Sequence, residues 1–153
     1  MAKTRLARNE EIARYVEKRA LIYDRNDRTR IIGCFPDAFR LRESRSEKYL
    51  SAGRLDNKSD TVASVSEIAK DMVAGGRFSI RKGSGFALSV VGDLEDACGR
   101  AGVEVYLHPK FGRPRYSEVW NVPQDDDALL QALGLDTWSR VIKSDDLALS
   151  ESD

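Results

Sequence analysis

Metal-binding side chains are scarce in this sequence of 153 residues. It contains one histidine, His108, and two cysteines, Cys34 and Cys98, which stand 64 positions apart. A structural zinc site takes about four cysteine or histidine ligands in short paired spacings, so this inventory excludes one. Each cysteine lies among apolar residues and is predicted to be a buried thiol. The sequence indicates no metal and no other cofactor.

Long apolar runs are also absent. No stretch approaches the roughly 20 apolar residues that a membrane-spanning helix requires, and residues 1–11 carry too many charges for the apolar part of a secretory signal. We therefore expect a cytoplasmic protein with no membrane contact. Eleven glycines and four prolines exclude a collagen-like chain, and a chain of this length buries enough surface for one core.

The whole chain has no net charge, but its first half is basic and its second half is acidic. The 25 basic and 25 acidic side chains give a formal net charge of zero, yet residues 1–82 hold 19 basic and 12 acidic residues, against 6 and 13 in residues 83–153. A basic half favours an anionic partner such as nucleic acid, because phosphate neutralisation supplies most non-specific affinity. Two alternatives stay open: the halves attract each other within one fold, or the acidic half shields the basic one until a partner binds.

Several segments have apolar residues at helical spacing. Asn9 is a candidate N-cap for the first, and Ser64 with Glu67 forms a capping box for the second. Asp93 caps a short third segment, and Asp125–Asp127 suit the N-terminus of a fourth helix better than a metal site. The pattern predicts α-helices over residues 9–23, 64–75, 93–101 and 125–133, with a further helical turn over 137–142.

Short apolar or alternating segments predict the strands. Residues 86–91 are nearly all apolar, which is typical of a central strand buried on both faces. Residues 103–108 follow a short helix, and the sequence leaves open whether these two strands run parallel or antiparallel. Residues 43–61 are polar and predict a loop or a single helical turn. The predicted strands are residues 30–42, interrupted at Phe35-Pro36-Asp37, and residues 77–81, 86–91, 103–108 and 117–122.

These elements together predict one compact α+β domain over residues 1–143. We expect a mixed or mostly antiparallel sheet of about four or five strands, with three or four helices packed mostly on one face. Residues 144–153 hold four acidic residues and no basic ones, so they are predicted to form a frayed acidic tail.

Two basic segments are candidate phosphate contacts. Residues 110–118 combine cations with two aromatic rings, and cations neutralise phosphates while rings stack on bases. In the second segment cations flank Gly83-Ser84-Gly85, where side chains and backbone amides would cradle a phosphate, although a simple hairpin turn accounts for the same glycines. The predicted binding residues are Arg77, Arg81, Lys82, Phe111, Arg113, Arg115 and Tyr116.

An alternative, catalytic interpretation rests on the predicted strand 103–108. Strand alternation places Glu104, Tyr106 and His108 on one face. In this alternative His108 is a general base, oriented by Glu104 or by Glu118, in an enzyme acting on a nucleotide or on RNA. The competing interpretation is an exposed polar face of a half-buried strand. The sequence supplies no convincing nucleophile or oxyanion hole, which favours a binding protein.

Short motifs also resemble known proteins. The segments Ala38-Phe39-Arg40-Leu41-Arg42, Arg45–Ser51 and Val105–Pro109, with Pro114 and Ser117, look like a group of small bacterial proteins of similar length that have no known activity. The segment Leu50–Asp56 is similar to the glycine-arginine segment of the RES-domain toxins, which consume NAD. That resemblance implies an arginine at the NAD site, here Arg40 or Arg54, and a tyrosine in the strand that follows. This chain has Thr61–Val65 there, without a tyrosine.

The sequence therefore predicts a non-enzymatic bacterial protein of the cytoplasm that contacts nucleic acid or an operon-encoded partner protein through an arginine-rich surface. This prediction requires the basic side chains of the first half to join those of the 110–118 loop in one positive surface. The alternative is a nucleotide- or RNA-processing enzyme that uses His108, including a RES-like toxin that consumes NAD.

Overall fold

A computed structural model describes residues 5–41, 47–56, 60–76 and 78–147 of the chain. Within these ranges it contains eight β-strands and three α-helices. The strands are β1 (Glu11–Val16), β2 (Leu21–Tyr23), β3 (Ile31–Cys34), β4 (Leu50–Arg54), β5 (Gly85–Val90), β6 (Tyr106–Lys110), β7 (Arg113–Trp120) and β8 (Arg140–Lys143). The helices are α1 (Thr61–Ala74), α2 (Val91–Arg100) and α3 (Asp127–Ala132).

Six strands form one sheet in the order β6-β7-β4-β1-β5-β8, and every neighbouring pair is antiparallel. Strands β2 and β3 form a separate antiparallel hairpin. The α+β prediction is confirmed, with more strands in the main sheet than expected. The two central strands, β1 and β4, come from the basic half of the chain, and strands of the acidic half flank them on both sides.

The relative direction of residues 86–91 and 103–108 follows from this order. The corresponding strands, β5 and β6, are not neighbours, since β1, β4 and β7 lie between them. Counting the antiparallel steps between them shows that β5 and β6 run in the same direction. Helix α2 therefore belongs to a crossover that passes three strands.

Apolar side chains cover both faces of the sheet. On one face Leu94 of α2 and Leu130 of α3 join a buried cluster with Ile12, Phe39 and Trp138. On the other face α1 packs on the sheet through a second cluster of buried residues, which includes Val65, Ile68, Ala69, Phe86 and Leu88. Of the three helices among the described residues, α2 and α3 therefore lie on one face and α1 lies on the other. Among the described residues, every helix is too short or too polar to span a membrane.

The helix predicted over residues 9–23 is wrong. The segment forms β1, one turn of 3₁₀-helix over Lys18–Ala20, and β2. The two buried clusters cover β1 on both faces, with Ile12 and Val16 in one and Ala13 in the other, so all three residues are buried. A strand buried on both faces has no strict alternation, so its apolar spacing can imitate that of a helix.

Other local predictions also differ from the structure, and one of them is the second part of the strand predicted over residues 30–42, where Pro36–Phe39 form a turn of 3₁₀-helix. Strand β4 lies in the segment predicted to be a loop, and β8 replaces the helical turn predicted over residues 137–142. Residues 78–81 do not form the predicted strand, whose first residue, Arg77, lies outside the described residues. Strands β4 and β8 are short and take their register from β7, β1 and β5, which no local pattern records.

Candidate functional site

Many arginines of this chain are held by carboxylates of the other half. Among the described residues, five arginines form such ion pairs: Arg5 and Arg8 with Glu95, Arg40 with Asp127, Arg113 with Asp71 and Arg140 with Glu11. These pairs fit the expectation that the two halves attract each other. They also remove several basic side chains of the first half from the surface available to a partner.

A second group of cations lines one open cleft of about 940 Å³, which we term the cationic cleft. Its basic residues come from three separate segments, and within the described part of the chain four of them, Lys18, Arg25, Arg28 and Lys82, form no ion pair. Five cations thus face two carboxylates. The lining residues are Lys18, Tyr23, Asp24, Arg25, Arg28, Lys82, Gly83, Ser84, Lys143 and Asp145.

The loop between β2 and β3 forms one wall of the cleft. The Asp24 carboxylate accepts a hydrogen bond from the Asn26 N–H at 2.8 Å, and the Asp27 carboxylate accepts from the Thr29 N–H at 3.1 Å and from its hydroxyl at 2.5 Å. The Thr29 hydroxyl is the main reason that the pKa of Asp27 is lowered. Aspartates that bond the backbone two residues on stabilise turns, so this wall is well fixed and carries Arg25 and Arg28 on its exposed side.

The opposite wall is the turn before β5. The Ser84 N–H donates to Arg81 O at 3.2 Å, and Gly83 has a φ of +82°, which favours glycine. A Cβ at Gly83 would lie 2.8 Å from Cδ of Lys18, so the Lys18 side chain packs directly on this turn. The Ser84 hydroxyl also lies 2.7 Å from the hydroxyl of Ser144.

Strand β8 links the two walls. The Lys143 ammonium donates a hydrogen bond to Thr29 O in the β2–β3 loop, and the next residue, Ser144, donates its N–H to Ser84 O at 2.9 Å. Ser144 is buried, so the segment predicted to be a frayed tail begins inside the fold. Residues 148–153 lie outside the described residues.

The predicted binding residues are divided between two places. Lys82 lines the cationic cleft, and exposed Arg81 precedes it in the same turn, while Arg77 lies outside the described residues. The other four residues are Phe111, Arg113, Arg115 and Tyr116, which lie on the β6–β7 hairpin.

Of the two aromatic residues predicted to stack on bases, only Phe111 is exposed enough to do so. Phe111 is 94% exposed at the hairpin tip, next to Gly112, whose φ is +80°. Tyr116 is 8% exposed, because the Arg113 guanidinium lies 4.6 Å from its ring centroid and its hydroxyl donates to the Asp71 carboxylate at 2.5 Å. Burial raises the pKa of Tyr116 to about 12, and the bond to Asp71 acts in the same direction.

The hairpin and the cationic cleft do not form the single positive surface that the binding prediction requires. Strands β6 and β7 lie at one edge of the sheet, whereas β5 and β8 lie at the other. Along the strand direction, Gly85 of β5 pairs with Val16 at the end of β1. Tyr116 of β7 pairs with Gly53 of β4, which in turn pairs with Ala13 near the start of β1. The two basic regions therefore lie diagonally across the sheet.

Of the three candidate catalytic residues, His108 and Glu118 lie together and Glu104 does not. His108 and Glu118 pair across β6 and β7, with 3.6 Å between Nε2 and Oε1, and both side chains are more than nine-tenths buried. Glu118 also accepts a hydrogen bond from Nε1–H of Trp120 at 2.8 Å. Glu104 lies elsewhere, because its carboxylate is bonded to the Tyr106 hydroxyl at 2.9 Å and to Arg5. A substrate could reach His108 only by displacing the side chains that cover it.

The two arginines compared with the RES-domain toxins are both engaged inside the fold. Arg40 contacts Asp37 and Asp127, and Arg54 contacts Glu10 at 2.9 Å. The segment Thr61–Val65, which the resemblance places in a strand, forms the first residues of helix α1. Neither arginine lines the cationic cleft.

Both cysteines are buried free thiols, as predicted. Burial raises the pKa of Cys34 to about 12 and that of Cys98 to about 11, so neither is a thiolate at neutral pH. Within the described ranges, no three side chains of histidine, cysteine, aspartate or glutamate lie close enough to hold a metal ion.

No family model matches the chain, and neither a curated protein nor a solved structure does.

The cationic cleft was only partly predictable from the sequence, because the segment Asp24–Thr29 by itself predicts only a polar turn. Its signal is the repeated Asp-Arg spacing, in which Asp24 and Asp27 fix the loop and Arg25 and Arg28 stay exposed.

Proposed function

We propose that this chain is a binding protein that holds the phosphate backbone of a nucleic acid in the cationic cleft. The observation that carries the proposal is the gathering of five cations from separate segments around one cleft with two carboxylates. Elsewhere in the fold many arginines form ion pairs with carboxylates of the same chain. The cations of the cleft differ from them and can be neutralised by an external anion.

The cations that line the cleft act together on anions in solution. Cations that share a cleft raise the local positive potential, and they attract and concentrate anions from solution. A nucleic acid carries closely spaced phosphates, and neutralising them releases condensed counterions to the solvent. A cleft with several unpaired lysines and arginines therefore favours a polyanion over a single small anion.

The fixed geometry of both walls supports the same proposal. Asp24 and Asp27 hold the β2–β3 loop before any ligand binds, and the Ser84–Ser144 contact joins the other wall to β8. Binding then orders few additional groups beyond the cationic side chains. Preorganisation of this kind increases affinity because it lowers the entropic cost of association.

Replacing Arg25 and Arg28 by alanine tests the proposal, since both are exposed on one fixed loop. Binding of a fluorescein-labelled oligothymidylate of about 12 nucleotides is measured by anisotropy over a range of salt concentrations. Each phosphate contact to a single strand contributes about 0.7 to the slope of log K against log salt, so the double variant should lower that slope by about 1.4.

The matched control removes two cations from other surfaces. Lys70 of α1 and Arg100 of α2 are exposed and lie outside the cleft, so the variant Lys70→Ala/Arg100→Ala changes net charge equally. It should keep the salt slope of the original chain. Binding that does not weaken with salt, or an equal loss in both double variants, would reject the cationic cleft as the phosphate site.

The catalytic alternative has less support in this geometry. His108 and Glu118 lie together, but both are buried, and neither lines the cationic cleft. Phosphates held by Arg25 and Arg28 would therefore not place a reacting atom beside His108. A binding function uses the residues that are exposed together and leaves the His108–Glu118 pair in a packing role.

A further inference from the structure

Tyr23 is the one aromatic residue that lines the cationic cleft within the described residues. Its side chain is partly buried and packs against the buried core cluster, which restricts its position. Its hydroxyl makes no hydrogen bond to any of the described residues, so the exposed part of the side chain is open to a ligand. A fixed ring beside phosphate-binding cations is the combination that single-strand binding proteins use for their bases.

The local backbone explains why this ring lies at the cleft. Strand β2 ends at Tyr23, and its pairing with β3 shifts register between Ile22 and Tyr23. A bulge of this kind redirects a side chain relative to a regular strand. The next residues form the loop that carries Arg25 and Arg28, so the ring and these two cations belong to one hairpin.

We infer that the ligand of the cationic cleft is a single-stranded nucleic acid, with one base stacked on Tyr23 and its phosphates held by the surrounding cations. This inference rests on the proposed function, and it adds the requirement for an unpaired base. The cleft volume of about 940 Å³ lies at the upper end of the roughly 300–1,000 Å³ of small-ligand pockets. It fits a short stretch of single strand.

A duplex fits this arrangement less well. Its bases are stacked inside the helix, and extruding one to reach Tyr23 costs a few kcal/mol. A duplex bound only through its outer phosphates would leave the Tyr23 ring unused. The aromatic ring therefore discriminates between the two forms, while the cations alone do not.

Three fluorescent probes of equal length separate the contribution of the base from that of the phosphates. They are an oligothymidylate, the same backbone with abasic residues, and a DNA duplex. Stacking contributes about 1–3 kcal/mol per base, so the oligothymidylate should bind roughly 5- to 150-fold more tightly than the abasic strand. Tyr23→Leu should abolish this difference while leaving abasic binding unchanged, and Tyr23→Phe should preserve it.

Tyr106 provides the control for a general effect of losing a tyrosine. It is exposed on β6, at the opposite edge of the sheet, so Tyr106→Leu should leave all three affinities unchanged. Thermal unfolding of each variant verifies that the fold persists. Equal binding of the oligothymidylate and the abasic strand, or duplex binding as tight as that of the single strand, overturns the inference of base stacking.

The outcomes also separate this inference from the function on which it rests. Salt-sensitive binding of the abasic strand that depends on Arg25 and Arg28, without any effect of Tyr23→Leu, leaves phosphate binding intact and rejects the base site. Failure of all three probes to bind rejects the phosphate site itself, and the inference about bases with it.

Discussion

A short hydrogen bond from the Tyr116 hydroxyl to Asp71 helps to join the β6–β7 hairpin to helix α1. The bond from Tyr116 is the main reason that the pKa of Asp71 is lowered, and Arg113, 3.1 Å away, acts in the same direction. An aspartate whose pKa is lowered by folding adds stability above its unfolded-state pKa, and that stability is lost as pH falls through the folded-state value.

We expect Tyr116→Phe to raise the pKa of Asp71 toward the ordinary value of about 3.9, because the donated hydrogen bond is lost while Arg113 remains. The measurement is an NMR titration of the Asp71 carboxyl carbon. Its control is Tyr106→Phe, which removes a hydroxyl bonded to Glu104 instead. An Asp71 titration identical in Tyr116→Phe and the original chain would show that the hydroxyl does not stabilise the carboxylate.

Residue type alone predicts the chemistry of the candidate site but not its accessibility. Phe111 and Tyr116 are equivalent as aromatic residues of one segment, yet one is almost fully exposed and the other is covered by Arg113. Strand alternation decides part of this, but further cover comes from α1, which lies far away in the sequence and shares a buried cluster with Tyr116. The sequence alone likewise does not show which cations are ion-paired and which line the cleft without a carboxylate partner, because the acidic partners lie far away in the sequence.

At the scale of elements, close backbone contact fixes how β3 meets the π-helical turn Leu133–Thr137. A Cβ at Gly134 would overlap the carbonyl oxygen of Cys34, so this position accepts no larger residue without moving the two backbones apart. The neighbouring ring of Phe39 adds a second contact at 3.3 Å. The β2–β3 hairpin, which carries Arg25 and Arg28, is therefore anchored through a glycine.

We expect Gly134→Ala to destabilise the protein by about 2 kcal/mol or more, because the added carbon forces apart packed backbone. Gly99 in α2 is the matched control, since a Cβ there meets nothing within 4 Å. Gly99→Ala should instead stabilise by roughly 0.5–1 kcal/mol through helix propensity. Urea unfolding measures both, and an equal effect of the two substitutions would contradict the close-contact explanation.

Elements with strong local signals are predictable from the sequence, and elements defined by their neighbours are not. The apolar stripe of helix α1 and the continuous apolar run of β5 make both recognisable within a few positions. The predicted cap of the helix is wrong, since α1 begins at Thr61 with Asp60 as its N-cap and Ser64 lies inside it. The prediction for β1 fails because its burial on both faces depends on residues far away in the sequence that pack on either side of the sheet. The prediction for β8 fails because only its pairing with β5 makes residues 140–143 extended.

At the scale of the whole molecule, the basic and acidic halves of the chain are not separate units. The central pair, β1 and β4, needs β5 on one side and β7 on the other to complete its hydrogen bonds. The ion pairs between the halves are partly exposed, and each adds little to stability. Strand pairing and the shared core, rather than charge, hold the halves together.

We expect the fragment of residues 1–82 to lack a stable fold on its own, because its two central strands would expose unpaired edges and uncovered apolar faces. Thermal melting followed by circular dichroism should show no cooperative transition for this fragment. The intact chain, measured in parallel, should melt cooperatively. A cooperative transition of the isolated fragment would show that the basic half is a domain by itself.

The position of β8 has a consequence for the order in which the protein is made. Lys143 and Ser144 join the two walls of the cationic cleft, yet they emerge from the ribosome after almost all of the other described residues. A growing chain therefore carries Arg25 and Arg28 long before both walls of the cleft are joined. The proposed capture of a ligand in the cationic cleft thus requires β8 to have been made, and a nascent chain without β8 presents these cations on an unassembled surface.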